Sequence, residues 1–152
     1  MKRLAIRGLL GLAVVMVVIQ FLPIGRVDNP PVTQEALWPN AQARSIAVAA
    51  CYDCHSNQVK LKWFDRIAPA SWLVGKHVEE GRAKLNFSDW DRRQESDEVS
   101  QTVEDGSMPL PSYTWLHPEG RLSDAEKHTL IDALRQMGEG SDSRGGRAGT
   151  DG

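Results

Sequence analysis

The strongest hydrophobic pattern in the chain is a continuous apolar run near its N-terminus. Residues 8–22 are apolar except for Gln20, and residues 23–25 extend the run towards the length that a membrane-spanning helix needs. The run is preceded by three basic residues, Lys2, Arg3 and Arg7. No small-residue cleavage site follows, so residues 1–27 are predicted to be an uncleaved signal anchor, with a cleaved signal peptide as the alternative. Because basic flanks stay in the cytoplasm, a single pass through the cytoplasmic membrane would place the rest of the chain on the periplasmic side.

Beyond this anchor, apolar residues recur at helical spacing in several segments. A first helix is predicted to begin near Pro39 and Asn40 and to run to residue 50. The remaining helices are predicted over residues 70–85, 96–105 (with Gly106 as the cap) and 123–138 (with a Ser123–Glu126 capping box and Gly138 as the stop). Residues 59–64 alternate briefly and could form a short strand, but an extended loop is preferred, so the fold class is predicted to be all-α.

The remaining segments are polar or rich in proline. Residues 28–33 contain two prolines and are predicted to be an extended linker. Residues 91–98 are mostly charged and are predicted to lie on the solvated surface, and residues 139–152 have too few apolar positions to fold. The predicted organisation is therefore an anchor (1–27), a linker (28–33), one domain (34–138) and a disordered tail (139–152).

Composition excludes several classes of protein. A length of 152 residues leaves room for one compact domain besides the anchor. The net charge of −2 argues against nucleic acid as a partner. Two cysteines are too few for a disulfide-stapled scaffold.

Both cysteines fall in one short motif, Cys51-Tyr52-Asp53-Cys54-His55. This C-x-x-C-H run is the attachment signature of a c-type haem. The two thiols can form thioethers with one edge of the porphyrin, and the following histidine can bind the iron from below. The motif predicts one covalent haem c, with Cys51 and Cys54 as attachment residues and His55 as the proximal iron ligand.

Three other readings of the motif are weaker. A thioredoxin-like C-x-x-C would expect a βαβ context, which is absent from the pattern. A structural zinc site would bring a second close pair of ligands, but the other histidines are far apart in sequence. A local disulfide would leave His55 without a role.

The sixth iron ligand is predicted to be Met108, because flanking proline stiffens its loop and Met/His ligation is common in cytochromes c. His77 is the second choice, on an apolar face of the 70–85 helix. His117 is also possible, although its position before a proline in a loop favours the surface. Trp63 and Phe64 are candidates for the wall of the haem pocket.

Taken in order, these segments resemble a small single-haem cytochrome c. More narrowly, the chain resembles the bacterial haem-binding domain family with a membrane anchor. The residues that carry the resemblance are 50–57, 67–74, His77, 81–82, 85–90, 108–109, 112–113, 117–118 and 122–123. The resemblance covers about residues 40–137 and implies a c-type haem domain without specifying a reaction or a partner.

The function favoured by these residues is electron transfer to or from an unidentified redox protein, without catalysis. Iron with His55 and Met108 on its two faces has no open position for a substrate. The alternatives are a haem sensor or peroxidase-like protein with an open distal site, and a haem-free thiol–disulfide protein.

Overall fold

The chain is described here by a computed structural model, which covers residues 2–90 and 96–145. The described residues form α-helices and short 3-10 turns, without a named strand, so the predicted all-α class is confirmed. The helices are α1 (Lys2–Val18), α2 (Ala41–Ala50), α3 (Tyr52–His55), α4 (Ala70–Lys84), α5 (Ser96–Glu104), α6 (Pro111–Leu116) and α7 (Asp124–Gly145). The 3-10 turns are Ile19–Phe21, Phe64–Arg66 and Pro118–Gly120. Residues 91–95 of the charged segment and 146–152 of the predicted tail lie outside the described residues, so the predictions for them stay predictions. For residues 96–97 and 139–145 the structure describes the backbone but not the side chains.

Local capping explains where the helices begin. The Asn40 side chain accepts a hydrogen bond from the Ala43 N–H at 2.8 Å, which caps α2 as predicted. The Ser123 N–H donates to Glu126 Oε2 at 2.9 Å, and the Glu126 N–H donates to Ser123 Oγ at 3.4 Å. This reciprocal pair is the capping box predicted for α7.

Of the two glycines predicted to end helices, Gly106 does so and Gly138 does not. Gly106 has a φ of +78° and follows α5 closely, so it supplies the left-handed backbone that the turn requires. Gly138 does not end α7, which continues to Gly145. The backbone of Gly138 does not have a positive φ, so the helix can continue through it. A glycine inside a helix weakens it by only ~1 kcal/mol and does not end it.

The core is built mainly where α5 and α2 pack against α7. It consists of Ala36, Ile46, Ala47, Tyr52, Leu85, Phe87, Val103, Leu130, Ile131, Leu134 and Met137. Phe87 is fully buried, and its ring stacks on Tyr52 with the ring centroids 5.3 Å apart. Because Tyr52 belongs to the C-x-x-C-H motif, this stack fixes the motif to the core. Truncating a buried phenylalanine to alanine typically costs ~3–5 kcal/mol.

A buried polar network holds the chain just after the motif. The Phe87 N–H donates to the His55 carbonyl at 2.8 Å. Asn86 Nδ2 donates to Asn57 Oδ1 at 3.0 Å, and the Asn57 N–H donates to Ser88 Oγ at 3.1 Å. No buried side-chain polar atom among the described residues lacks a partner. A satisfied network of this kind restricts the 86–88 loop to one position against the motif.

Candidate haem site

The C-x-x-C-H motif forms a tight turn at the end of α2. The Cys51 N–H continues the α2 pattern by donating to the Ala47 carbonyl at 2.8 Å, and the His55 N–H donates to the Cys51 carbonyl at 2.9 Å. The two thiols are not joined by a disulfide. Cys51, Cys54 and His55 all line one cavity of about 270 Å³. The predicted sharing of one face by these three side chains is therefore present in the structure.

The His55 ring is held by the backbone of α4. Its Nδ1 lies 3.0 Å from the Gly81 carbonyl oxygen and 3.1 Å from the Leu85 carbonyl oxygen. Because both partners can only accept, Nδ1 must carry the proton. Burial lowers the pKa of His55, and the two carbonyls offset part of that effect. The ring is therefore neutral at pH 7, with an unprotonated Nε2 that can bind a metal.

α4 approaches the motif closely because residue 81 is glycine. A Cβ built on Gly81 would lie 2.7 Å from the Cys54 carbonyl oxygen and 3.3 Å from Cys54 Cβ. These are atoms of the motif itself and not the ends of flexible side chains. One residue later, Arg82 Nε donates to the Ser56 carbonyl at 2.8 Å. Gly81 and Arg82 thus fix the distance between α4 and the motif.

Burial suppresses the acidity of both thiols. Desolvation, with a smaller contribution from Cys54, raises the pKa of Cys51 to about 12. Desolvation, followed by the nearby charge of Asp53, raises the pKa of Cys54 to about 11. Thiol–disulfide exchange requires a thiolate, and redox-active cysteines have a lowered pKa. The environment of these thiols is thus opposite to that of a thiol–disulfide protein.

Another part of the cavity lining comes from the segment after α5. Met108, Pro109, Leu110 and Tyr113 line it. The Met108 N–H donates to the Thr102 carbonyl at 2.9 Å, which fixes the loop to α5. The Tyr113 hydroxyl donates to Asp53 Oδ2 at 2.9 Å, so α6 is fixed to the motif as well. The structure therefore brings Met108 to the same cavity as Cys51, Cys54 and His55.

A second cavity, also of about 270 Å³, adjoins the first. Asp53, Cys54, His77, Leu110 and Tyr113 line both. The second cavity is largely apolar, and its further lining includes Leu61, Phe64, Leu73, Val74 and Leu116. The two cavities therefore share part of their lining, including Cys54 and His77.

The other candidate residues, His77, Phe64 and Trp63, differ in whether they line these cavities. His77 lines both cavities and stays a candidate ligand. Phe64 lines the second cavity as expected for a wall residue, but Trp63 is 75% exposed and the prediction for it was wrong. Trp63 instead packs its ring edge against Phe64 with centroids 5.6 Å apart, leaving most of its own surface in solvent.

His117 is buried, contrary to the prediction of a surface position. Its Nε2 lies 3.4 Å from Asp65 Oδ2, and its ring stacks on Tyr113 at a centroid distance of 4.3 Å. It lines the second cavity but not the cavity that holds His55 and Met108. Asp65 was not singled out from the sequence, and Tyr113 was named only for the family resemblance, because these contacts join residues far apart in the chain.

Comparison with known proteins identifies the family. A family model described as a haem-binding domain matches residues 14–136, which is most of the chain. The chain belongs to the haem-binding domain family. No curated protein and no solved structure matches it. The match spans every residue that lines the first cavity of this haem-binding domain.

The side chains of the haem-binding domain are suited to such a group. Two unpaired thiols and a neutral imidazole with a free Nε2 meet at a mostly apolar cavity. Haem is a large, mostly apolar ring that packs against apolar walls, and a histidine nitrogen is one of the common axial ligands of its iron. Cys51, Cys54 and His55 would hold it, and Leu110 and Tyr113 would pack against it.

The N-terminal helix is long and apolar enough to cross a membrane. Among the described residues, Lys2–Phe21 contains an 18-residue window with a mean hydropathy of 2.2, and none of that window is buried in the protein. A signal sequence near an N-terminus has the same properties. The helix is thus a membrane span or a signal sequence.

Proposed function

We propose that the protein is a membrane-anchored electron carrier with one haem attached through Cys51 and Cys54, His55 as proximal ligand and Met108 as distal ligand. Haem supplies an iron that changes oxidation state by one electron. The chain's own part is to bind the group, exclude water and occupy both axial positions. The domain would lie on the periplasmic side, where the anchor's basic flank would leave it.

The arrangement of His55 is the observation on which this proposal depends. Its Nδ1 is committed to the carbonyls of Gly81 and Leu85. A hydrogen bond from the ring nitrogen that does not bind the metal fixes the tautomer and orientation of a histidine ligand and increases its basicity. An imidazole fixed in this way beside two unpaired thiols supports covalent haem more than any other role of the C-x-x-C-H motif.

The same geometry favours Met108 over His77 as the distal ligand. Because Nδ1 of His55 faces the carbonyls of α4, its Nε2 points away from that stretch of helix. His77 lies on α4 itself, one turn before Gly81, whereas Met108 belongs to the loop after α5. A ligand on a separate element can approach the opposite face of a group bound to Nε2. The placement of His55 and Met108 on separate elements supports a six-coordinate iron, which suits a carrier and not a sensor or a peroxidase.

The electron-transfer proposal also explains the apolar character of the site. Most of the lining of the two cavities consists of apolar side chains, and the paired His117 and Asp65 are almost fully buried. A haem surrounded by such walls exchanges electrons through an edge without admitting water to the iron. The redox partner would dock near that edge.

The test is to express the full chain with haem-attachment enzymes and to record its absorption spectrum, oxidised and reduced, with and without pyridine. Covalent attachment predicts a c-type pyridine spectrum and haem that stays on the chain after denaturation. Paired C51A and C54A substitutions should release the haem. A colourless preparation would refute the proposal.

The ligands are tested separately. Replacing His55 with alanine should change the spectrum even where thioethers form, and an unchanged spectrum would refute its role. In the oxidised wild-type protein, a methionine–iron charge-transfer band is expected, and M108A should abolish it while H77A leaves it intact. If the wild-type protein lacks that band and H77A, but not M108A, changes its spectrum, His77 is the distal ligand. Carbon monoxide binding by the unmodified protein would favour the sensor or peroxidase alternative.

A further inference from the structure

The end of the N-terminal helix is fixed to one loop of the domain. Gln20, the polar residue of the apolar run, uses both atoms of its side-chain amide on Ala68. Its Nε2 donates to the Ala68 carbonyl at 3.1 Å, and its Oε1 accepts from the Ala68 N–H at 2.9 Å. The Gln20 amide thus pairs with the Ala68 backbone as a neighbouring strand would. The two hydrogen bonds together fix both the distance and the orientation of the helix end relative to Ala68.

The segment after the helix continues this attachment. Gly25 has a φ of +65°, and a Cβ there would lie 2.7 Å from the Ser71 carbonyl oxygen, so the segment lies directly on the start of α4. Asn29 brackets Val59, accepting from its N–H and donating to its carbonyl, both at 3.0 Å. Asp28 is bound as well, since its carbonyl accepts a hydrogen bond from Arg82 Nη2 at 2.9 Å. Residues 20–29 are thus bound to the domain at several places. The predicted linker, residues 28–33, therefore begins inside this bound segment, which we call the docked segment. Its contacts would hold the domain in one orientation relative to the N-terminal helix.

This attachment sets the height of one loop relative to a bilayer. The 20 residues of Lys2–Phe21 span about 30 Å at 1.5 Å per residue, so the helix can cross the hydrocarbon core while the side chains of Lys2, Arg3 and Arg7 extend towards the cytoplasmic headgroups. The Gln20 end would then lie at the boundary between acyl chains and headgroups, and Ala68 with it. The loop around Ala68 exposes Trp63 (75%) and Ile67 (43%), together with the charged Arg66. Tryptophan and basic residues are the types that concentrate at that boundary.

A cleft of about 370 Å³ separates the docked segment from the domain at the same level. Leu22, Ile24 and Arg26 line one wall, and residues including Arg66 and Trp72 line the other. Neither Arg26 nor Arg66 forms an ion pair within the residues described, and the Arg66 guanidinium donates one long hydrogen bond there, of 3.5 Å to the Leu61 carbonyl. Asp65 also lines the cleft. Two guanidiniums beside apolar side chains match the phosphate and the first acyl carbons of an anionic phospholipid.

We propose that this membrane-facing surface, made of Trp63, Arg66, Ile67 and the cleft beside Arg26, docks on the bilayer and binds an anionic phospholipid headgroup. The inference requires the N-terminal helix to span the membrane, but it does not depend on haem. Its consequence is that the domain presents a constant side to partners that move in the membrane plane.

The orientation is tested by photo-crosslinking the full-length protein in lipid nanodiscs. The crosslinking amino acid p-benzoylphenylalanine replaces Trp63, Ile67, Leu37 or Leu12 in turn, and lipid adducts are measured by mass spectrometry. Leu37 is the matched control, since it is 61% exposed and does not line the cleft. Adducts are expected at positions 12, 63 and 67, with a severalfold lower yield at 37. Equal yields at 37 and 67, or adducts at 12 alone, would overturn the proposal.

A second arm tests lipid charge. Nanodiscs containing equal amounts of phosphatidylglycerol and phosphatidylcholine should give mainly phosphatidylglycerol adducts at position 67. Each of R26Q and R66Q should reduce that preference about fivefold, because one basic residue near an anionic surface contributes ~1 kcal/mol. R135Q is the control, on α7 and paired with Glu104. An unchanged preference in R26Q/R66Q would overturn headgroup binding.

The outcome is separable from the haem proposal. The absorption spectrum of each nanodisc sample reports haem independently of the adducts. Missing adducts at position 12 in a red preparation would overturn the anchor, and this inference with it, while the haem proposal would stand.

Discussion

Because α4 lies so close to the C-x-x-C-H motif, replacing Gly81 with alanine should lower the stability of the protein, although the same replacement usually stabilises a helix. In an exposed helix, replacing glycine with alanine stabilises by ~1 kcal/mol. At Gly81 the added methyl would lie 2.7 Å from the Cys54 carbonyl oxygen and 3.3 Å from Cys54 Cβ. Both atoms belong to the backbone or the stem of the motif, so neither can rotate away.

We therefore expect G81A to be destabilising. Overpacking at a tight contact costs ~1–3 kcal/mol, and the gain in helix propensity offsets ~1 kcal/mol of that. The free energy of unfolding should accordingly fall by up to ~2 kcal/mol. The displacement should also move the Gly81 carbonyl, which lies 3.0 Å from His55 Nδ1. A changed spectrum or reduction potential is thus expected together with the loss of stability.

The assay is denaturant unfolding of the haem-loaded protein, followed by far-ultraviolet circular dichroism, with absorption spectra recorded in parallel. A83G is the matched control, since Ala83 is exposed two residues further along α4. That variant should lose ~1 kcal/mol of stability through propensity alone and keep the wild-type spectrum. If G81A is as stable as the wild type and has the same spectrum, the close contact does not position the motif.

Three further predictions concern the ligand, the thiols and the buried network. M108A should lower the reduction potential or admit carbon monoxide, because loss of the thioether leaves the iron with a weaker or open sixth position; if potentiometry and gas titration both match the wild type, another residue is the ligand. Haem-free protein should lose stability as the pH rises from 9 towards about 12, because burial raises the pKa of Cys51 and the unfolded chain releases its thiol proton first. Stability should be constant with respect to this group below pH 9, and the haem-loaded form, whose sulfurs are thioethers, should lack this loss in the same denaturation series. N86A should cost ~1–3 kcal/mol by leaving buried Asn57 without its 3.0 Å partner, whereas a loss below ~0.5 kcal/mol would mean that water replaces the amide.

The features that sequence alone determined are those whose physical cause is local. The apolar run, the Asn40 cap, the Ser123–Glu126 box and the turn at Gly106 each depend on residues within a few positions of one another. The C-x-x-C-H motif is equally local, since one helical turn is enough to bring its two thiols and its imidazole to one cavity. A short pattern contains all the information that such features need. The all-α class and the haem-binding family followed from these patterns.

The features that only the tertiary structure decided depend on where distant segments meet. His117 was expected at the surface because a histidine before a proline is usually exposed, yet Asp65 and Tyr113 enclose it. Tyr113 meets Asp53 across 60 residues, and Gln20 meets Ala68 across 48. No spacing rule predicts such pairs, because the path of the intervening chain sets them. The position of His55 shows both levels: a five-residue pattern predicts a ligand, but only the fold of α4 supplies the two carbonyls that orient it.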